Sequence, residues 1–207
     1  MNKIIKYNLK LIFSYNVIAA FLLVCMSPVF FQLSNMDFIS LAKMGELYLS
    51  LTGIFLFISL GNLEGNKYTW EFVYIQQVSY TVICLGRLLA MMLMNAILIF
   101  LPLTYVYLRS ESIKFFDGYL GFIASAWFLG LLGLLVAEIF RDFKVAYIIT
   151  LGYYFIATST MNPLKRIQVF RNVHGNMDIK YGVYLSCMVM IIVYLVLVKM
   201  KCKRGIE

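Results

Sequence analysis

Six stretches of the chain contain no Asp, Glu, Lys or Arg: residues 11–36, 47–63, 88–108, 118–137, 145–164 and 181–198. A helix needs about 20 predominantly apolar residues to cross a bilayer core of about 30 Å, and every stretch falls near that length. Six spanning helices are the simplest reading, over about 11–31, 43–63, 87–108, 117–137, 145–161 and 181–199. A seventh stretch, 72–86, is shorter and holds Gln76, Gln77, Ser79 and Thr81, which fits the membrane interface better than a crossing. The alternating ten-residue segments of a transmembrane β-barrel are absent. Composition excludes a soluble fold: 62% of the 207 residues are hydrophobic and 14% are charged, against about 25% charged in soluble domains. A soluble domain of this size has too little interior to hide that much apolar surface. The expectation is an all-α integral membrane protein, one transmembrane domain over 1–207.

Charge distribution orients it. With six spans both termini share a side, and they carry Lys3, Lys6, Lys10, Lys199, Lys201, Lys203 and Arg204 against the single acid Glu207. The positive-inside rule then makes both ends cytoplasmic. Lys67, Arg87, Arg141 and Lys144 join them on the inner side, which leaves Lys43, Arg109, Lys114, Lys165, Arg166, Arg171 and Lys180 outside. The net charge of +8 is therefore a topology signal. The basic residues are dispersed among helices rather than gathered on one face, so no nucleic-acid partner is expected. Residues 3–16 place Lys3, Lys6 and Lys10 on one helical face and Ile5, Leu9 and Ile12 on another, the pattern of an N-terminal amphipathic helix lying on membrane lipid. The stretch after it lacks a small-x-small cleavage site and is read as a retained span rather than a signal peptide.

Chemistry-bearing motifs are sparse. The four cysteines, at 25, 84, 187 and 202, share no tight spacing, so neither a metal site nor a redox pair is indicated. The single histidine, His174, falls in the last outer loop, well away from Cys187, and Glu46 and Glu138 fall near opposite membrane faces. There is no Gly-x-Ser-x-Gly, no His-Glu-x-x-His and no phosphate-binding Gly-x4-Gly-Lys-Ser/Thr loop. No catalytic residue and no bound cofactor are expected in this chain.

Two patterns inside the spans invite a reading. Ala126, Gly130, Gly133 and Ala137, spaced four, three and four, place small residues along one helical face and predict close approach of another helix, within the bundle or between subunits. Tyr153 and Tyr154 fall near mid-span, where their hydroxyls need partners or a wet cavity, so they are candidates to line a path for an amphipathic substrate.

The second span exits through Gly61-Asn62-Leu63-Glu64-Gly65-Asn66-Lys67, followed by Tyr68-Thr69-Trp70-Glu71 and the 72–86 stretch. That inner connection, about 24 residues, is long for a helical bundle, and long loops usually carry function. The order Glu64, Gly65, Thr69, Phe72–Ser79 and Gly86-Arg87 resembles permease subunits of type-2 ABC exporters. In these an acidic residue, a Gly/Thr pair and an ATPase-contacting helix lead to a small-basic step opening the third span. Asn162-Pro163-Leu164 stands where that family often carries the same element. The resemblance implies a coupling helix between spans two and three. Glu64, Thr69, Trp70, Glu71 and Gln76 would then meet a cytoplasmic ABC ATPase that binds ATP and Mg itself. It also implies a second permease copy or homologue, a bacterial plasma membrane, and a hydrophobic or amphipathic cargo such as a peptide or lipid.

The chain departs from the family in one place. Such permeases place a re-entrant hairpin between spans five and six, ahead of the Asn-Pro element. Here only the 17 residues 164–180 separate Pro163 from the sixth span, so the hairpin is abbreviated, shifted past Pro163 or missing. Two other classes fit six spans of this size. One is the substrate-binding subunit of an energy-coupling-factor vitamin uptake system, against which Ala19 and Ala20 are followed four residues later by Leu23 and Val24 rather than alanine. The other is a non-transporting membrane sensor or immunity protein.

Overall fold

The computed structural model of the chain describes residues 15–31, 36–64, 80–109, 115–159, 169–170 and 180–204. The described residues are all-helical apart from turns and short connections. In chain order the elements are α1 (Tyr15–Phe30), α2 (Phe38–Ala42), a π-helical segment (Lys43–Leu49) and α3 (Leu51–Glu64). They continue with α4 (Tyr80–Tyr107), α5 (Phe115–Phe140), α6 (Phe143–Thr158) and α7 (Tyr181–Arg204). The amphipathic segment 3–16 lies almost wholly outside the described residues.

Four helical stretches are long and apolar enough to cross a membrane: Phe38–Gly61, Tyr80–Tyr107, Gly118–Phe140 and Tyr181–Lys201. Tyr15–Phe30 and Phe143–Thr158 are apolar but shorter; 16 residues rise about 24 Å. The surface follows from this composition. Leu89, Leu93, Ile97 and Leu101 of α4 and Leu185, Met188, Ile192 and Val196 of α7 are exposed, while Glu46, Thr52, Asn95, Ser125 and Thr150 are buried. Apolar outside and polar inside is the arrangement for a chain whose solvent is lipid.

Two helix starts differ from the boundaries read in the sequence. Helix begins at Phe38, not near Lys43, because Asp37 in extended conformation opens α2 and its carbonyl accepts from Leu41 N at 3.0 Å. A single charge such as Lys43 does not end a helix whose backbone bonds are already made. Likewise α4 begins at Tyr80, so the last residues of the 72–86 stretch are continuous with the following helix rather than separate from it.

The centre of the bundle is α5, which borders α3, α4, α6, α7 and the π segment. Along α3 and α5, which run in the same direction, contacts advance in step. A methyl on Gly53 would stand 2.0 Å from the Ala126 carbonyl oxygen, one on Gly130 would meet the Phe57 ring, and one on Gly61 would meet Ala137 Cβ. Gly133 lies against Ile58 and Thr150. Ala126, Gly130, Gly133 and Ala137 thus face helices of the same chain, and the missing side chains let the backbones approach. At the turn from α5 to α6, Arg141 adopts a positive φ of 54° and the Asp142 carboxylate accepts from Lys144 N at 2.8 Å, capping α6.

Candidate functional site

The most concentrated chemistry among the described residues lies where α2 gives way to the π segment. A π turn is rare, adds a residue to the helix and often marks a functional position. Each of three consecutive residues here ties the segment to a different part of the chain. The Glu46 carboxylate accepts from Lys180 Nζ in an ion pair. The Leu47 carbonyl accepts from the Tyr154 hydroxyl on α6 at 2.9 Å. The Tyr48 hydroxyl donates to the Leu23 carbonyl on α1 at 2.8 Å, with its ring tilted against Phe30 and edge-on to Phe31. Gly45 completes the segment: the Phe122 ring of α5 lies where its side chain would be.

Glu46 is fully buried and Lys180 is 5% exposed. Glu46 lies eight residues into its span, about 12 Å from Phe38 along the axis. Lys180 Nζ also donates to Ser125 Oγ at 2.7 Å and to the Val169 carbonyl. The Ser125 hydroxyl in turn lies 2.8 Å from the Val169 carbonyl and 3.1 Å from that of Gly121. An ammonium has three N–H donors, and here each meets an acceptor. Taking both charges out of water is costly, and the pair persists because its hydrogen bonds are complete.

Val169 and Phe170 form a buried turn between α6 and α7. The Phe170 ring stands edge-on to Tyr154, centroids 5.6 Å apart. Ser125 lies seven residues inside Gly118, so the turn reaches about 10 Å down the bundle.

A second polar group sits six residues deeper along the same helical stretch. Thr52 Oγ1 donates to the Leu49 carbonyl at 2.6 Å and accepts from Asn95 Nδ2 of α4 at 2.8 Å. Because the Thr52 proton is spent on Leu49, the amide must present its nitrogen, which leaves Asn95 Oδ1 buried without a hydrogen-bond partner. At the far end of the bundle Lys201 Nζ donates to the Glu138 carboxylate at 2.7 Å. Among the described residues no group of three His, Cys, Asp or Glu side chains is placed to hold a metal ion.

Of the residues singled out in the sequence, Tyr154 belongs to this site and Tyr153 packs its ring on Phe128, centroids 5.8 Å apart. Glu64 is the last residue of α3. Thr69, Trp70, Glu71 and Gln76, the Asn162-Pro163-Leu164 element and His174 lie outside the described residues. Sequence reasoning assigned Glu46 to a membrane face and Lys180 to an outer loop. The signal that could have paired them is that each borders an apolar stretch, with opposite sign and on the same predicted side.

No family model, curated protein or solved structure matches this chain.

Proposed function

We propose that the chain is the permease subunit of a type-2 ABC exporter. In this reading six helices span a bacterial plasma membrane with both termini cytoplasmic, α1 and α6 crossing with help from their flanking residues. The subunit works with a second permease copy or homologue and with a cytoplasmic ABC ATPase that binds ATP and Mg. Movement of segment 66–80 by the ATPase rocks the helices between inward and outward access. A hydrophobic or amphipathic peptide or lipid is the cargo.

The observation that carries the reading is the buried Val169–Phe170 turn. It lies between α6 and α7, the fifth and sixth spans of this reading, where the family resemblance calls for a re-entrant element, and its position past Pro163 fits one of the three alternatives left open, a shifted hairpin. A second support is the lining of that end of the bundle by Tyr154, Ser125 and the Glu46–Lys180 pair. Intramembrane polar groups of this kind usually mark a substrate path.

The experiment is replacement of Thr69, Trp70 and Glu71 together by alanine. Membrane insertion, which depends on the apolar helices, is expected to survive, while co-purification of the ATPase falls or hydrolysis is uncoupled from transport. Undiminished partner binding and transport in that variant would overturn the coupling role and the exporter reading with it.

A further inference from the structure

The Val169–Phe170 turn is held from two directions, and both holds trace back to neighbouring residues of the π segment. On its polar side the Val169 carbonyl receives the Lys180 ammonium and lies within hydrogen-bond reach of the Ser125 hydroxyl. Lys180 is itself aimed by Glu46. On its apolar side Phe170 rests against Tyr154, whose hydroxyl is fixed by the Leu47 carbonyl. The two holds differ in kind. The aromatic contact is short-range packing and is worth little beyond its buried area. The ammonium must find three acceptors wherever it is buried, so its position decides where the carbonyl can sit.

We infer that Glu46 and Lys180 form a latch that seats the Val169–Phe170 turn in the end of the bundle, and that the turn leaves its seat when the two charges part. Glu46 acts through Lys180, as a positioning residue. The latch stands on the geometry of the cluster; its use as the outer mouth of a transport path rests on the exporter reading. Ser125 belongs to the device as well. Its hydroxyl is within hydrogen-bond reach of both the ammonium and the turn, so it holds the lysine over the carbonyl after small movements of either.

The test reads the latch without transport. Cys25, Cys84, Cys187 and Cys202 are first replaced by serine or alanine, and Val169→Cys is introduced as the only thiol. The protein is placed in lipid nanodiscs, where both membrane faces are open to a small water-soluble maleimide. The parent is expected to label slowly, because position 169 is buried. Glu46→Gln is expected to raise the labelling rate by about tenfold or more, as local opening becomes easier. A thiol at the exposed Arg109 serves as the control and keeps its rate.

Loss of the whole fold would also raise labelling, so the deciding variant is Glu46→Leu with Lys180→Met. Removing both charges together spares the bundle an unpaired ion, and thermal unfolding should stay near that of the parent. The turn has nonetheless lost its ammonium, and labelling should rise as in Glu46→Gln. Parent-like labelling in the double variant would overturn the latch and assign the turn to its aromatic contact with Tyr154. Rapid labelling of the parent itself would overturn it outright. Either result leaves the ATPase experiment on residues 69–71 unaffected.

Discussion

Lys180, just before α7, and Lys201, near its end, are each paired with a glutamate on another helix: Lys180 with Glu46, Lys201 with Glu138. The arrangement matters because α7 packs so little. Only 22% of its apolar window is buried, against 72% for the window in α5. A helix that offers most of its sides to lipid gains little from burial against its neighbours. The two ion pairs, 21 residues and about 31 Å apart along the helix, fix its height and tilt.

The pins are unequal. Lys180 is nearly inaccessible, whereas the Lys201 side chain is 20% exposed. Lys180→Met, which removes one partner of a buried ion pair, should cost about 3–5 kcal/mol. Lys201→Met should cost less, about 1–2 kcal/mol, since water reaches that end of the helix. Reversible unfolding in mixed micelles orders the two; an equal or reversed order would show that the buried pair is not the stronger pin.

Close approach of α3 and α5 makes one methyl group consequential. Gly53→Ala places Cβ against the Ala126 backbone, which cannot yield, and should lower stability by about 1–3 kcal/mol. Gly130→Leu should do at least as much, because it drives into Phe57. Gly86→Ala has nothing within 4 Å and should be neutral or stabilising by less than about 1 kcal/mol. Melting temperatures of the three purified variants decide the matter.

Thr52 and Asn95 give a prediction in which the smaller chemical change does more damage. Thr52→Val removes the acceptor that Asn95 Nδ2 has among the described residues and leaves a buried amide without that bond, at a cost of about 1–3 kcal/mol. Asn95→Leu removes the amide altogether, Thr52 keeps its bond to Leu49, and the loss should stay under about 1 kcal/mol. A double-mutant cycle should therefore show strong coupling. Simple additivity would mean that Asn95 has found a partner elsewhere.

Orientation in the membrane is open to direct measurement. With single cysteines in a cysteine-free background, an impermeant reagent applied to intact cells should label position 174 and not position 203. The opposite pattern would invert the bundle and place the Glu46–Lys180 cluster on the cytoplasmic side.

The all-helical character and four long apolar helices could be read from the chain because lipid is an uncompromising solvent. Gly130 and Gly133 with their alanine neighbours announced a helix face, and that face lies on α3 and α6. The ion pair was hidden for a physical reason. Glu46 and Lys180 are 134 residues apart, and a lone charge bordering an apolar stretch reads as the edge of a span. With the second helix started near Lys43, Glu46 falls at the surface; started at Phe38, it is two turns inside. The π segment has no sequence signature of its own. It arises because Gly45 admits the Phe122 ring while Glu46, Leu47 and Tyr48 each satisfy a different neighbour.

That extra residue in the helix has a consequence for chain length. Successive residues of an α-helix advance by about 100°, so deleting one residue between Lys43 and Leu49 would let Phe38–Glu64 run as an uninterrupted α-helix. Nothing would be broken in the backbone. Yet the π turn is what takes up the extra residue, so Phe38–Ala42 would keep their face toward the bundle, while the positions from Met44 to Tyr48 would lose the spacing that lets Glu46, Leu47 and Tyr48 each reach a different neighbour. A frame shift of one amino acid, invisible to any comparison of hydrophobicity, would thus separate a bundle that packs from a bundle that latches.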